Sequence, residues 1–183
     1  MRAFVALEIS GRAADSLVDF EKELLAAGAD IKTVERENLH LNLKFLGDVT
    51  EAQAAEVQSR LGSLALKGAE AVVRGVGAFP SPSRPRVVWA GVAHEHEGQV
   101  TQIAQQVIES LEGIGERDDR PFRAHVTLGR VRSGRNIREL GELLRKNSGR
   151  EFGTVSLSEV KLKSSVLTPE GPVYRDIGVF RLS

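Results

Sequence analysis

Two histidines stand in matching positions along this chain, and each is followed two residues later by a small polar side chain. His40 is followed by Asn42, and His125 by Thr127, while the residues between and after them are apolar. Side chains two residues apart in a β-strand point to the same face. Each imidazole would therefore have a hydrogen-bond donor beside it, and the apolar residues would point the other way, into a core.

Two such strands facing each other would bring two imidazoles and two donors to one cleft. One imidazole could accept a proton from an attacking group while the other donates a proton to the leaving oxygen. The Asn amide and the Thr hydroxyl could donate hydrogen bonds to the oxygens on which negative charge develops. These groups suffice to split a phosphodiester without a metal. One histidine on a strand is more often a structural residue than a catalyst. Two histidines at matching positions, each followed by a small polar residue, favour the catalytic interpretation.

The rest of the sequence predicts strands and helices that alternate and then repeat in the same order. The first half is predicted to begin with a strand at 2–9 and a helix that is capped by Ser10 and runs to about Ala27. A strand follows at 39–46, with Phe45 among its apolar residues, and then a helix that is capped by Thr50 and Gln53 and runs to about Leu64. A strand at 71–79 and a proline-rich turn at 80–85 end this half. The second half is predicted to begin with a strand at 86–92, a helix at 97–111 and a strand at 122–131. A helix capped by Asn136 with Glu139 follows, and then a strand at 155–167 and a last strand at 173–182.

A shift of 85 residues places the first histidine on the second and superposes the two halves. We therefore expect an α+β fold in one domain, residues 1–183, with two β-α-β-α-β halves at about 1–80 and 86–168 and a closing strand at 172–182. A pseudo-two-fold axis would relate the halves of this bilobal molecule. Its sheets would be mostly antiparallel, with the helices on the outside and a central cleft between the sheets.

The composition excludes several classes of protein. The chain has 183 residues, 25 Lys and Arg against 25 Asp and Glu, and no Cys, so it has no disulfide, no thiolate metal site and no overall charge that would recruit nucleic acid. It lacks the features of a signal peptide and any run of about 18 apolar residues that could cross a membrane. We expect a cytoplasmic monomer that does not bind membranes.

Positive charge is nevertheless concentrated around the second histidine. Seven arginines against two aspartates lie between Arg117 and Arg138. Arg130 is five residues from His125, so strict alternation places it on the opposite face unless a bulge at Gly129 re-aims it. This arginine patch would suit contact with RNA phosphates.

The remaining candidate motifs are weak. His94, Glu95 and His96 offer two metal ligands but no third, and we expect a solvated loop there. No phosphate-binding loop of the ATPase type is present, which argues against an ATP-dependent ligase. Phe45 or Phe122 could stack a nucleobase at the edge of the cleft.

Longer segments around the histidines resemble those of a known family. They read RAFVA at 2–6, ENLHLNLKFLG at 37–47, RVVW at 86–89 and PFRAHVTLGR at 121–130. With these segments the chain resembles the 2H phosphoesterases, and among them the RNA 2′,3′-cyclic phosphodiesterases, also called 2′–5′ RNA ligases, which carry two His-x-Thr-x tetrapeptides with hydrophobic x. Asn42 departs from this pattern, because the family has Thr there. An amide can still donate a hydrogen bond, but it does not copy the geometry of a hydroxyl.

The two histidine motifs are nearly symmetric, so the sequence alone does not say which histidine is the acid and which is the base. The resemblance implies an assignment. His40 would donate a proton to the leaving 3′ oxygen, and His125 would be the base that activates water, so that the product is a 2′-phosphomonoester. Asn42, Thr127 and Arg130 would contact the phosphate. No metal or cofactor would be required, and the reverse reaction would join RNA ends through 2′–5′ bonds. The substrates would be RNA 2′,3′-cyclic phosphate ends, tRNA fragments among them.

Two other functions stay open at the level of the sequence. The same pair of histidines could serve another 2H activity, the cleavage of ADP-ribose 1″,2″-cyclic phosphate or of 2′–5′ oligoadenylate, because only the pocket walls would differ. Alternatively, the chain is a non-catalytic RNA-binding module that uses the arginine patch and has lost activity through Asn42. RNA binding by such a module would depend on salt.

Overall fold

The computed structural model describes all residues, 1–183. Strands and helices alternate in both halves, with one 3₁₀ turn at Arg36–Asn38. The strands are β1 (Arg2–Glu8), β2 (Ile31–Thr33), β3 (His40–Asp48), β4 (Ala69–Ser81), β5 (Arg84–Val92), β6 (His125–Val131), β7 (Glu151–Leu157), β8 (Glu159–Thr168) and β9 (Gly171–Arg181). The helices are α1 (Gly11–Ala26), α2 (Glu51–Gly62), α3 (His94–Ser110) and α4 (Ile137–Lys146). None of these helices combines the length and the apolar composition that crossing a membrane requires.

All strand pairings in the molecule are antiparallel. The strands follow the order β7-β4-β5-β6-β3-β1-β8-β9, with the short β2 beside β6. The two histidine strands, β3 and β6, are neighbours at the centre, where they are joined through a single residue pair, Leu41 with Val126. These pairings confirm the predicted α+β fold with antiparallel strands. The two halves meet in one continuous sheet. The fewest residue pairs join neighbouring strands between β3 and β6, which is where the sequence predicts the cleft.

A hydrophobic core lies on one face of the two central strands. Leu39, Leu41 and Leu43 are buried on or beside β3, as are Val126 and Leu128 on β6. This period of two follows from strand geometry, because alternate side chains point to opposite faces. The histidines and their polar neighbours alternate with the core residues and are only half-buried. The core therefore fixes the face on which the polar side chains lie.

The predicted alternation fails at Phe45, which is half-buried rather than part of the core. The pairing of β1 with β3 shifts register twice, and Leu46 is buried in its place. Phe45 instead lies opposite Phe4, with the Arg2 guanidinium 5.4 Å from the centre of its ring.

Several predicted boundaries also differ from the structure. The segment 155–167 is two strands rather than one, because β7 ends at Leu157 and β8 begins at Glu159. The two strands serve different parts of the sheet, since β7 pairs with β4 and β8 pairs with β1. The strand predicted at 122–131 begins only at His125. Strand β2 has three residues, which is too short to show a periodic pattern.

The helix caps follow the sequence prediction at one of three positions. Thr50 and Gln53 form the predicted capping box, in which each side chain bonds the backbone N–H of the other. Ser10 precedes α1 in an extended conformation, but its side chain makes no capping hydrogen bond. Asn136 precedes α4 in the left-handed conformation and donates instead to the carbonyl oxygen of Ala27, 3.3 Å away. A tertiary contact thus replaces the predicted local cap at Asn136.

Glu21 is an acidic residue on the buried face of α1. Its side chain is 5% exposed, and its Oε1 has no hydrogen-bond partner. Burial disfavours the ionised form and raises the pKa of Glu21 from 4.5 to about 8. In the unfolded chain the carboxyl keeps its ordinary pKa, so the folded state loses stability as the pH rises from 4.5 towards about 8.

Replacing Glu21 by Gln should therefore flatten the pH dependence of stability. Between about pH 6 and about pH 7.5, the free energy of unfolding of the wild type should fall by about 2 kcal/mol relative to the variant, since each pH unit contributes about 1.4 kcal/mol. In thermal denaturation, the Tm advantage of Glu21→Gln should grow by about 4–8 °C over that interval. Glu23→Gln, at an exposed position of the same helix, is the control. The same gain in both variants would contradict the assignment to Glu21.

Candidate active site

The two histidines of the central strands lie at equivalent positions. His40 is the first residue of β3, and His125 is the first residue of β6. Each directly precedes the residue through which these strands pair, Leu41 in one case and Val126 in the other. A positive charge on His125 would lower the pKa of His40.

Backbone carbonyls hold both imidazoles in the same tautomer. Nδ1 of His40 lies 2.7 Å from the carbonyl oxygen of Asn38, and Nδ1 of His125 lies 2.7 Å from that of Arg123. A carbonyl oxygen can only accept a hydrogen bond, so Nδ1 carries the proton in both rings. Nε2 is therefore the nitrogen of each ring that is left for proton exchange, and the arrangement is the same in the two halves.

Both histidines favour the neutral form in the free protein. Burial is the largest influence and lowers the pKa of His40 and of His125. The hydrogen bonds to the carbonyl oxygens oppose this shift at both sites. The Lys163 ammonium lowers the pKa of His40 further while the Glu8 carboxylate raises it, and the Arg123 guanidinium lowers that of His125.

The polar neighbours predicted from the sequence lie on the same strand faces as the histidines. Asn42 is half-buried and pairs with Ala6 of β1, and Thr127 is half-buried and pairs with Trp89 of β5. The side-chain oxygen of Asn42 is buried without a hydrogen-bond partner. Its amide nitrogen is therefore the end left to donate to a bound phosphate.

A bulge brings Arg130 to the face of Thr127, as the sequence allowed. One step along β5 spans two steps along β6, because Trp89 pairs with Thr127 but Val88, the preceding residue of β5, pairs with Gly129. Arg130 then pairs with Val87, which lies on the same face of β5 as Trp89. Leu128 is the extra residue, next to the predicted Gly129. Arg130 thus shares a face with the second histidine motif, rather than the opposite face that strict alternation gives.

Aromatic rings that the sequence analysis does not single out surround the histidines. Phe4 and Tyr174 lie 5.1 and 5.7 Å from His40 between ring centres, and Phe79 lies 5.1 Å from His125. Arg130 lies close enough to Tyr174 for its charge to lower the pKa of that phenol, although burial raises it overall. These neighbours come from strands distant in sequence, so only the strand order could have indicated them.

A second group that the sequence does not predict is an ionic cluster beside His40. Glu8, which pairs with His40 across β1 and β3, contacts Lys161 and Lys163 of β8, and both lysines contact Asp176 of β9. Burial alone would raise the pKa of Glu8, but the two lysines outweigh it and hold the pKa below its usual range. Lys163 is buried, with Nζ 2.5 Å from Glu8 and 3.0 Å from Asp176.

Ion pairs partly neutralise the predicted arginine patch. They are formed by Arg117 with Asp119, Arg120 with Asp118 and Arg132 with Asp30. Arg123 and Arg130, on either side of the second histidine motif, are exposed and are not among the ion-paired arginines. Arg123 and Arg130 therefore leave positive charge available to a substrate next to His125.

The histidines at positions 94 and 96 do not belong to this cleft. They lie with Glu95 in the first turn of α3, so the predicted loop is wrong, although His94 and Glu95 are exposed to solvent as predicted. The backbone N–H of Val72 donates to Nδ1 of His96 at 3.1 Å, and Nδ1 of His94 lies 3.4 Å from Oε2 of Glu97. No group of three or more His, Cys, Asp or Glu side chains is arranged to hold a metal ion.

Comparison with known proteins identifies the family. The model of the LigT-like phosphoesterases matches this chain twice, over residues 7–89 and 91–174, and each matched segment contains one of the histidine strands. This chain belongs to the LigT-like phosphoesterase family. The membership confirms the resemblance seen in the sequence.

Relatives within the LigT-like family match nearly the whole chain. An RNA 2′,3′-cyclic phosphodiesterase of Archaeoglobus fulgidus is 41% identical over 98% of this chain and 99% of its own length. A protein of the same name from Methanothermobacter thermautotrophicus is 38% identical over 100% of this chain and 99% of its own. The crystal structure of a Thermus thermophilus protein superposes with a TM-score of 0.79 and 28% identity, covering 100% of this chain and 98% of that one.

Proposed function

We propose that this LigT-like phosphoesterase hydrolyses RNA 2′,3′-cyclic phosphate ends to 2′-phosphomonoesters, with His40 as the acid and His125 as the base. The observation that carries the proposal is the pair of imidazoles on adjacent central strands, each with Nδ1 bonded to a carbonyl and Nε2 free. Two relatives matched over nearly their full length bear the name of this activity.

The reaction needs two proton transfers, and the two imidazoles supply both. Nε2 of neutral His125 accepts a proton from water as the water oxygen attacks phosphorus. The bond between phosphorus and the 3′ oxygen breaks, and protonated His40 donates its Nε2 proton to that oxygen. The 2′ oxygen keeps the phosphate. At the end His125 is protonated and His40 is neutral, so proton exchange with solvent restores the starting state.

Three further side chains would stabilise the charge that develops on the phosphate. The amide of Asn42 and the hydroxyl of Thr127 donate to the non-bridging oxygens from the same strand faces as the histidines, and Arg130 adds a positive charge. Donors held by strands are already oriented when charge develops, so they bind the transition state more strongly than the ground state. The substrates would be RNA ends in the cytoplasm, tRNA fragments among them, and the protein would act as a monomer.

Hydrolysis of an oligonucleotide with a 2′,3′-cyclic phosphate end, in the presence of EDTA, tests this function. We expect turnover and a 2′-phosphate product. A 3′-phosphate product, no turnover, or turnover that is lost with EDTA would contradict the mechanism. The same assay with ADP-ribose 1″,2″-cyclic phosphate and 2′–5′ oligoadenylate would rank the substrates, and salt-dependent RNA binding without turnover would instead indicate a binding module.

The histidine pKa values predict an acidic optimum for kcat/KM. His125 must be neutral and His40 protonated, so the rate falls as the pH drops below the pKa of His125 and as it rises above that of His40. Burial lowers both pKa values in the free protein. The bell-shaped profile of kcat/KM should therefore be centred below about 6.5, the ordinary pKa of histidine.

The profile of kcat should lie at higher pH than that of kcat/KM. A bound anionic phosphate favours the imidazolium form, so it raises the histidine pKa values in the complex. Initial rates at low and at saturating substrate, from about pH 4.5 to about pH 9, measure both profiles. A kcat optimum at or below the kcat/KM optimum would contradict this assignment.

A further inference from the structure

The two histidines have the same backbone partners but different neighbours across the sheet. Glu8 lies opposite His40 in the pairing of β1 with β3. Gly91 lies opposite His125 in the pairing of β5 with β6, and glycine has no side chain. Directly opposed residues of antiparallel strands have Cβ atoms about 4.5–5.5 Å apart. The neighbouring strand therefore brings a carboxylate to His40 and none to His125.

The surroundings of His125 favour the neutral ring. This imidazole borders a cavity of about 420 Å³ between β4, β5 and α3, with Phe122 among its walls. Glu97 also lines the cavity, but the charged residue that influences the pKa of His125 is Arg123, whose guanidinium lowers it. A general base must be neutral before it can accept a proton. The charge beside His125 thus suits a base.

An ion cluster keeps the partly buried Glu8 carboxylate charged. Nζ of Lys161 lies 3.0 Å from Oε2 of Glu8, and Nζ of Lys163 lies 2.5 Å from Oε1. These ammonium groups hold the pKa of Glu8 below its usual range, against the effect of burial. Asp176 contacts the same two lysines, so two cations face two anions and the cluster is neutral as a whole. Loss of any one member leaves a net charge near His40.

Two members of the cluster act on His40 in opposite directions. The Glu8 carboxylate raises the pKa of His40, whereas the Lys163 ammonium and burial lower it. Of the three side chains that influence this pKa most, Glu8, Lys163 and His125, only Glu8 favours the protonated ring. Without Glu8, the imidazole would lose its proton at a lower pH and would be a poorer acid near neutrality.

The other ionisable groups around His40 do not supply this negative charge. Tyr174 of β9 lies 5.7 Å away between ring centres, and its phenol is neutral because burial raises its pKa. Asp176 is also on β9, and in the strand order β3-β1-β8-β9 it is two strands further from His40 than Glu8. The charged side chains of the 3₁₀ turn before β3 are exposed to solvent, namely Glu35, Arg36 and Glu37.

We propose that Glu8 is the positioning residue that makes His40, rather than His125, the acid of the pair. Its carboxylate stabilises the imidazolium of His40, and Lys161 and Lys163 hold that carboxylate ionised and in place. Glu8 acts through His40 and exchanges no proton itself. The two histidine motifs are nearly symmetric, so it is the neighbouring strand that distinguishes them. This role rests on the proposed function, in which His40 protonates the 3′ oxygen.

Titration of the histidines by NMR tests this role without relying on activity. The Cε1–H signals of the four histidines are assigned by replacing each histidine in turn. Glu8→Gln leaves the cluster with an extra positive charge, so the pKa of His40 should fall by about one unit, and that of His125 should change less. Lys163→Met leaves an extra negative charge and should raise the pKa of His40 by about as much. The double variant is neutral again, so its His40 pKa should return close to that of the wild type.

Hydrolysis of adenosine 2′,3′-cyclic phosphate should follow the same pattern. The alkaline limb of the kcat/KM profile reports the acid, so Glu8→Gln should move this limb about one pH unit lower and Lys163→Met about one unit higher. On that limb, a shift of one unit lowers kcat/KM of Glu8→Gln about tenfold. Glu8→Asp keeps the charge and should keep the limb near its wild-type position.

Asp176→Asn is the matched control, because it removes a carboxylate from the same two lysines. It should shift the pKa of His40 less than Glu8→Gln does, since Asp176 lies further from His40. Equal shifts in these two variants, no shift in Glu8→Gln, or a double variant that does not restore the pKa would overturn the inference. If Glu8→Gln does not fold, an unchanged His40 pKa in Lys163→Met or a changed one in the double variant would overturn it.

The two readouts together separate this role from the proposed function. An NMR shift of His40 in Glu8→Gln with an unmoved alkaline limb would show that His40 is not the acid, which overturns the inference. A wild-type protein that does not hydrolyse the cyclic nucleotide would overturn the proposed function, and the assignment of an acid with it. Turnover by the wild type with an unchanged His40 pKa in Glu8→Gln would overturn the inference alone.

Discussion

His40→Ala and His125→Ala should each lower kcat on a cyclic phosphate substrate by about 10²–10⁴-fold, the range typical for loss of a general acid or base. In the proposed mechanism each variant removes an Nε2 that exchanges a proton in the transition state, and no other titratable group takes its place on the strand. Steady-state rates of the purified variants measure the loss. Because the acid and the base act in one step, the double variant should be little slower than the slower single variant.

The fold should survive both substitutions. Each imidazole is half-buried and makes one hydrogen bond, to a carbonyl two residues earlier in the chain. Loss of such a bond costs about 1 kcal/mol, which is a Tm shift of about 2–4 °C in a protein of this size. A much lower Tm in either variant would instead support a structural role for that histidine.

His96→Ala is the matched control for these variants. His96 is also half-buried, and its Nδ1 accepts a hydrogen bond from the backbone of Val72. The substitution should lower the Tm by a similar amount, because a partly buried backbone N–H loses its partner. It should leave kcat within about twofold of the wild type, since His96 lies outside the cleft. A large loss of kcat in His96→Ala would show that damage to packing alone can mimic loss of a catalytic group.

The central part of the fold could be predicted because its signal is local. The alternation of apolar and polar residues around His40 and His125 depends only on strand geometry, so it predicts which side chains share a face. The same alternation gives the wrong face for Phe45 and leaves Arg130 undecided. In both cases a register shift against a neighbouring strand changes the face of the sheet on which the side chain lies. Such a bulge depends on how two strands pair, so the sequence of one strand does not predict it.

The surroundings of the histidines depend on contacts between distant parts of the chain. The Tyr174 ring reaches His40 because β9 pairs with β8, which pairs with β1, and the same order assembles the lysines around Glu8. The cavity beside His125 likewise needs β4, β5 and α3 to come together. The spacing of residues along the chain does not predict contacts between strands that are distant in sequence. This explains why the paired histidines could be predicted from their spacing, whereas only Phe122 among the cavity walls was a candidate from the sequence.

Asn42→Ala and Thr127→Ala should each lower kcat by about 10²-fold, equivalent to about 3 kcal/mol for one lost donor to a developing negative charge. Arg130 shares the face of Thr127, so water and this guanidinium should limit the loss there. The effect should appear in kcat more than in KM, because the hydrogen bond strengthens as charge develops. Initial rates over a range of substrate concentrations separate the two parameters.

Stability provides an independent readout at Asn42. Its side-chain oxygen is buried without a partner, which is unfavourable in the folded protein. Asn42→Ala should therefore lose activity without losing Tm, as expected of a group retained for function. Asn42→Thr should keep the fold, because a β-branched residue suits a strand, and should retain or raise kcat by restoring a hydroxyl donor. If Asn42→Ala is as fast as the wild type while Thr127→Ala is slow, the two donors are not equivalent, and catalysis depends on the donor of the second motif alone.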